Sequence, residues 1–127
     1  LAAAARNAER RDVLLVEGAG GLLVPLCDGI LTVDLARAIA DHVIVVARDA
    51  LGTINHTLLT LAAARAHGLS VLGVVLDAVE GEDPSVETNR EAITRFGRVP
   101  VLARVGRGEQ AAPAHLIDAV LGARRSS

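Results

Sequence analysis

Aromatic side chains are almost missing from this sequence: Phe96 is the only one, and there is no Trp or Tyr. Proteins that grip single-stranded nucleic acid stack bases on aromatic platforms, so the composition speaks against that role. A formal net charge of −2 provides no basic stripe for duplex phosphates either. Cysteine occurs once, as Cys27, which excludes an intramolecular disulfide and any CxxC pair. Such usage fits a reducing, cytoplasmic setting, and no neighbour marks Cys27 as an activated nucleophile. No run of about 18 apolar residues suggests a membrane-spanning helix, and no charged-then-apolar leader is visible. Methionine is absent, even at position 1, and all 13 basic residues are arginine, leaving no lysine. The opening stretch, Leu1 to Arg11, is Ala-rich and helix-like with no capping residue ahead of it, which reads as a cut through a longer protein.

What is present is an alternation. The 127 residues suit one domain, and a 51% apolar content is enough for a buried core. Val13–Val16, Val43–Ala47, Val71–Leu76 and Val99–Ala103 are short apolar runs of the kind buried on both faces of a parallel sheet. Between them lie helical patterns. Thr32 is placed to cap a helix running to about Ala40, with Val33, Ala36, Ile39 and Ala40 on one side. Thr53 is placed to cap the longest helix, which runs through His67 to Gly68 in the left-handed position that follows. Asp83-Pro84 supplies a cap and first-turn proline for a helix ending near Phe96. Pro113 opens a last helix carrying Leu116, Ile117, Val120 and Leu121, and Arg124–Ser127 reads as a frayed tail. The class is therefore α/β, a parallel sheet flanked by helices; the strand order is not readable from the pattern.

In open sheets of this class ligands collect at the carboxyl ends of the strands, and three segments there have unusual chemistry. Glu17-Gly18-Ala19-Gly20-Gly21 joins a carboxylate able to hold a hard cation such as Mg²⁺ to glycines that let backbone amides approach phosphate. A Gly-rich turn with a solvated Glu accounts for the same residues equally well. Gly52, Thr53 and Asn55 mark a helix start whose open amides attract an anion such as a carboxylate; an ordinary polar first turn is the simpler account. Asp77, directly after the third run, can contact a base or ribose, or cap a turn. His42, His56, His67 and His115 share no metal-ligand spacing, and Glu80, Glu82 and Asp83 read as a solvated acidic loop.

Taken in order, the motifs resemble dethiobiotin synthetase. They are Val16–Gly21, Leu23–Leu26 and Asp34–Ala36, then Val45–Arg48 with Leu51–Thr60, Gly68–Leu76 and Thr88–Ile93. The resemblance covers nearly the whole chain and is strongest from Val16 to Leu76. It implies a P-loop NTPase-like, Rossmann-type three-layer fold, here truncated, and a cytoplasmic homodimer. The implied reaction closes the ureido ring of dethiobiotin from 7,8-diaminopelargonate and CO2 with ATP and Mg²⁺. It implies that Glu17 binds Mg²⁺, and that Glu17, Gly18, Ala19, Gly20, Asp77, Gly106 and Arg107 line the ATP site. Gly20, Gly52, Thr53 and Asn55 would receive the diamine, the last three holding its carboxylate across the subunit boundary.

The departures from the family pattern are specific. Its P-loop, with a Lys and a Thr, a second functional lysine and a metal-binding Asp would belong to a first half of about a hundred residues that precedes this segment. Phosphoryl transfer depends on charge stabilisation by such groups, so the chain alone is expected to be inactive, with no catalytic residue of its own. Asp77 stands where the family usually has Asn; a carboxylate accepts a hydrogen bond from adenine's exocyclic amine but donates none to a ring nitrogen. The loop at Val105–Gly108 lacks the usual proline. Two alternatives remain open: a cobyrinate or cobyrate amidation domain, against which Gly52–Thr60 argues, and a non-catalytic relic or dimeric module that binds a small carboxylate.

Overall fold

The computed structural model of the chain describes residues 13–79, 86–106, 108 and 114–123. Strand and helix alternate as the pattern predicts: β1 (Pro25–Cys27), β2 (Ile30–Leu31), α1 (Thr32–Ile39), β3 (Val43–Asp49), α2 (Thr53–Ala66), β4 (Val71–Ala78), α3 (Val86–Gly97), β5 (Val101–Val105) and α4 (Ala114–Ala123). β3, β4 and β5 form a parallel sheet in that order, in a register that pairs Val45 with Val74, Ala47 with Leu76 and Asp77 with Val105. An α/β parallel sheet flanked by helices is what results. Among the described residues no helix is long and apolar enough to cross a membrane.

Successive strand side chains point to opposite faces, and the core divides accordingly. On one face Val74 and Leu76 pack with Leu61 of α2, Ile93 of α3, Val99 and Val101. On the other, Val75, Leu102 and Ala103 pack against Leu116 and Ala119 of α4. A third cluster joins Val33 of α1 to Ala64 and Leu69. Strand β4 approaches the start of β5 so closely that a Cβ on Gly73 would lie 2.6 Å from the Pro100 carbonyl oxygen.

The structure departs from expectation at the element ends and once in kind. Val13–Val16 is not a strand. Its side chains are exposed, Leu15 at 77%. An apolar run becomes a strand only beside a hydrogen-bonding neighbour, and no described strand lies against it. Pro25–Cys27 and Ile30–Leu31 form an unexpected antiparallel hairpin. Its two-residue Asp28-Gly29 loop was the available signal, with Gly29 at φ 74°.

Thr32 does not cap α1 but is its first residue. Its hydroxyl donates to the Val24 carbonyl at 3.1 Å, while the Asp34 carboxylate accepts the Leu31 N–H at 2.9 Å. Thr53 likewise opens α2 behind Gly52, which occupies the cap position at φ 91°. Gly68 ends that helix region at φ 74°, as expected. β3 and β4 continue to Asp49 and Ala78, past the expected ends at Ala47 and Leu76, and β5 starts at Val101 rather than Val99. The expected helix at Leu1–Arg11, the acidic loop, the starts at Asp83-Pro84 and Pro113, and the tail lie outside the described residues.

Candidate ligand-binding site

The carboxyl ends of the three parallel strands present Arg48 and Asp49, Asp77 and Ala78, and Arg104 and Val105 side by side. Arg48 pairs in register with Asp77, and both are exposed. Asp77 lies within β4, one residue before its end, rather than directly after it. Its neighbour across the other edge is Val105, which leads into half-buried Gly106. Arg107 lies outside the described residues.

Asp49 behaves differently from the exposed pair. Only 1% exposed, its carboxylate accepts the Asn89 Nδ2 proton at 2.9 Å from α3 and pairs with Arg104 Nε at 2.6 Å from β5. Asn89 is also 1% exposed, whereas the Arg104 side chain is 48% exposed. Burying a carboxylate is costly unless it is paired and hydrogen-bonded, and both conditions are met here. Sequence reading missed this cluster.

The loop leaving β3 turns tightly into α2. The Ala50 N–H donates to the Arg48 carbonyl and the Thr53 N–H to the Ala50 carbonyl, each at 3.1 Å. The Thr53 amide is therefore occupied rather than open, contrary to expectation, and an anion here would be met by the first-turn amides that follow it. Asn55 is exposed at this end of the helix. Thr53 and Thr57, one turn apart, are buried, and they line a groove with His56 and Thr60 against Val45–Arg48 of β3. The Thr57 Oγ1 is buried there with no hydrogen-bond partner among the described residues.

Glu17, Gly18, Ala19 and Gly20 lie on an exposed loop. Gly20 has φ 86°, a left-handed conformation that favours glycine. The loop is fastened to the start of α1: the Val24 N–H donates to the Gly21 carbonyl, Thr32 N–H to Val24 and Val33 N–H to Leu22. Among the described residues no three His, Cys, Asp or Glu side chains converge to hold a metal ion. A single exposed carboxylate such as Glu17 does fit Mg²⁺, which keeps several waters and takes one or two carboxylates plus phosphate oxygens. Among the described residues no hydrogen bond or ion pair joins this loop to Asp77 or to Gly52–Asn55. The structure thus groups Asp77 and Gly106 at adjacent strand ends and Gly52, Thr53 and Asn55 at one helix start, and carries Glu17–Gly20 on a separate exposed loop.

A family model described as AAA domain matches residues 1–114. The ATP-dependent dethiobiotin synthetase BioD of Bacillus cereus (strain G9842) is 51% identical over 90 residues, which are 70% of this chain and 37% of that protein. The protein of the same name from Anaeromyxobacter sp. (strain Fw109-5) is 53% identical over 100 residues, 77% of this chain and 44% of the relative. The biotin biosynthesis bifunctional protein BioCD of Bordetella avium (strain 197N) is 50% identical over 92 residues, 72% of this chain and 19% of the relative. The chain therefore spans less than half the length of each of these relatives, and its resemblance to dethiobiotin synthetase stands.

Proposed function

The chain belongs to the AAA domain family matched over residues 1–114, and on that footing we propose that it forms part of an ATP-dependent dethiobiotin synthetase. The observation that carries this reading is 51% identity to a synthetase of that name over 90 residues. Its reaction would join 7,8-diaminopelargonate, CO2 and ATP. One amine adds to CO2 with loss of a proton to give a carbamate, and ATP phosphorylates the carbamate oxygen. The second amine then attacks the carbonyl carbon, expels phosphate and closes the ring.

In this proposal Glu17 holds Mg²⁺, which would neutralise phosphate charge, and Gly18, Ala19 and Gly20 offer backbone room and amides to the triphosphate. Asp77, Gly106 and Arg107 receive the base, and Asp77 favours a ring bearing an exocyclic amine. Gly52, Thr53 and Asn55 at the start of α2 hold the substrate carboxylate, where the helix dipole favours negative charge. Gly20 faces the diamine. The working unit is a cytoplasmic homodimer in which that carboxylate site serves the neighbouring subunit. The chain has no lysine, and turnover requires cationic stabilisation of the transferring phosphoryl group. The P-loop lysine therefore comes from a preceding segment, and this polypeptide by itself binds without turning over.

Calorimetry with Mg-ATP and 7,8-diaminopelargonate tests the assignment. Binding of both is expected. Glu17→Gln should weaken Mg²⁺-dependent nucleotide binding by at least the roughly 10–100-fold that loss of even an outer-shell metal partner costs. Binding of neither ligand removes the proposal. A second reading, a dimeric module that holds a small carboxylate without turnover, is favoured by the absence of lysine; it requires diamine binding that is indifferent to Mg-ATP.

A further inference from the structure

A buried carboxylate is an uneconomical way to stabilise a fold, because well-packed apolar groups of similar volume do as well or better. Asp49 nevertheless occupies the last position of β3 at 1% exposure. It is held by Asn89 of α3 at 2.9 Å and by Arg104 of β5 at 2.6 Å. β4 lies between β3 and β5, so the Asp49–Arg104 pair straps the sheet across its middle strand at the carboxyl end. Ala50, Leu51 and Gly52 follow Asp49 directly and turn into α2 through the Ala50 and Thr53 amide bonds at 3.1 Å. Anchoring the Asp49 side chain from two other elements sets the angle at which this loop leaves the sheet. That angle aims the N-terminus of α2. Arg104 also stands two residues before Gly106, so one guanidinium fastens both the loop ahead of α2 and the strand that leads into the Gly106 loop.

We infer that Arg104 is a positioning residue, acting through Asp49 to hold the α2 N-terminus in the geometry that receives a carboxylate ligand. The identity of that ligand as the diamine rests on the proposed function; the positioning itself does not. The Asp49 carboxylate transmits the effect of Arg104 through Oδ2, and Asn89 holds the other oxygen, Oδ1.

The test uses the full-length protein and the variant Arg104→Gln, with two readouts. Amide hydrogen exchange at Thr53 and His56, whose N–H groups donate to the Ala50 and Gly52 carbonyls, is compared with exchange at Val74–Leu76 in the sheet core. Positioning predicts that exchange at Thr53 and His56 accelerates at least about tenfold more than exchange in the core. A rise of equal size at both places, or none at Thr53 and His56, overturns the inference, because a loss of global stability alone does not single out one end of a helix. Should Arg104→Gln fail to fold, Arg104→Lys, which keeps the charge and loses the planar Nε donor, carries the same comparison. Steady-state kinetics with 7,8-diaminopelargonate give the second readout. KM for the diamine is expected to rise at least about fivefold with kcat within about twofold, and an unchanged KM counts against the inference. If the wild-type protein does not bind the diamine, the proposed function falls and the exchange comparison alone decides the role of Arg104.

Discussion

Val71–Leu76 and Val13–Val16 are both strongly apolar runs flanked by polar or small residues, and they end up in opposite surroundings. Val74 and Leu76 are 0% and 1% exposed, whereas Leu14 and Leu15 are 41% and 77% exposed. Composition does not separate them. What separates them is the neighbour: β4 lies between β3 and β5 and is paired on both edges, while no described strand runs beside Val13–Val16. An apolar run nominates a strand, and a backbone partner on at least one edge makes it one. The two candidate binding regions inherit the same contrast. Gly52–Asn55 stands on a helix whose lower turns enter the core through Leu61 and Ala64, and Glu17–Gly20 sits on an exposed loop fastened near α1 by amide bonds, the Thr32 hydroxyl and the packing of Leu22 against Val33.

Truncating one leucine in each region gives the largest contrast. Leu61 is completely buried between sheet and helices, so Leu61→Ala should cost about 2–5 kcal/mol by denaturant unfolding. Leu15→Ala should stay within roughly 0.5 kcal/mol, as for surface substitutions with no special contact. Comparable losses at the two positions would break the comparison and mean that Val13–Val16 is packed in solution.

A smaller effect comes from adding one methyl group in each region. At Gly73 a new Cβ would meet the Pro100 carbonyl at 2.6 Å and Leu102 Cγ at 2.7 Å. Backbone cannot yield there without disturbing the β4–β5 register, and Gly73→Ala should destabilise by about 1–3 kcal/mol, the usual cost of overpacking. At Gly18 the nearest atom is Thr32 Cγ2 at 3.4 Å, an ordinary contact. Gly18→Ala should therefore leave the unfolding midpoint within about 0.5 kcal/mol. Loss of nucleotide affinity in that variant, with stability intact, would sharpen the assignment of the loop to phosphate.

These contrasts also explain what could be read in advance. The sheet class, four of its helical intervals and the Gly68 terminus follow from apolar periodicity and from left-handed glycine, which are local properties. Glu17–Gly21 and Gly52–Asn55 were visible for the same reason, since glycines and cap residues announce themselves within a few positions. The strand ends were misplaced by two residues because Arg48, Asp49 and Asp77 are charged, yet pairing carries β3 and β4 through them. The Asp28-Gly29 hairpin had a local signal that went unread. The Asp49–Asn89–Arg104 cluster had none: its partners are 40 and 55 residues apart in sequence, and only the sheet order brings them together.

The smallest predicted effect concerns a polar atom in the better-packed region. Thr53, Thr57, Leu61 and Ala64 form the buried side of α2, changing from hydroxyl to hydrocarbon along the helix. Thr57 is 2% exposed and its Oγ1 has no partner among the described residues. A buried hydroxyl without a hydrogen bond is a net cost, and valine has nearly the same shape. Thr57→Val should therefore raise stability by about 0.5–1 kcal/mol in a urea melt, within the usual range for stabilising replacements. A loss of stability of about 1 kcal/mol instead would mean that Thr57 Oγ1 is satisfied in solution, and the contrast with Val13–Val16 would then rest on apolar burial alone.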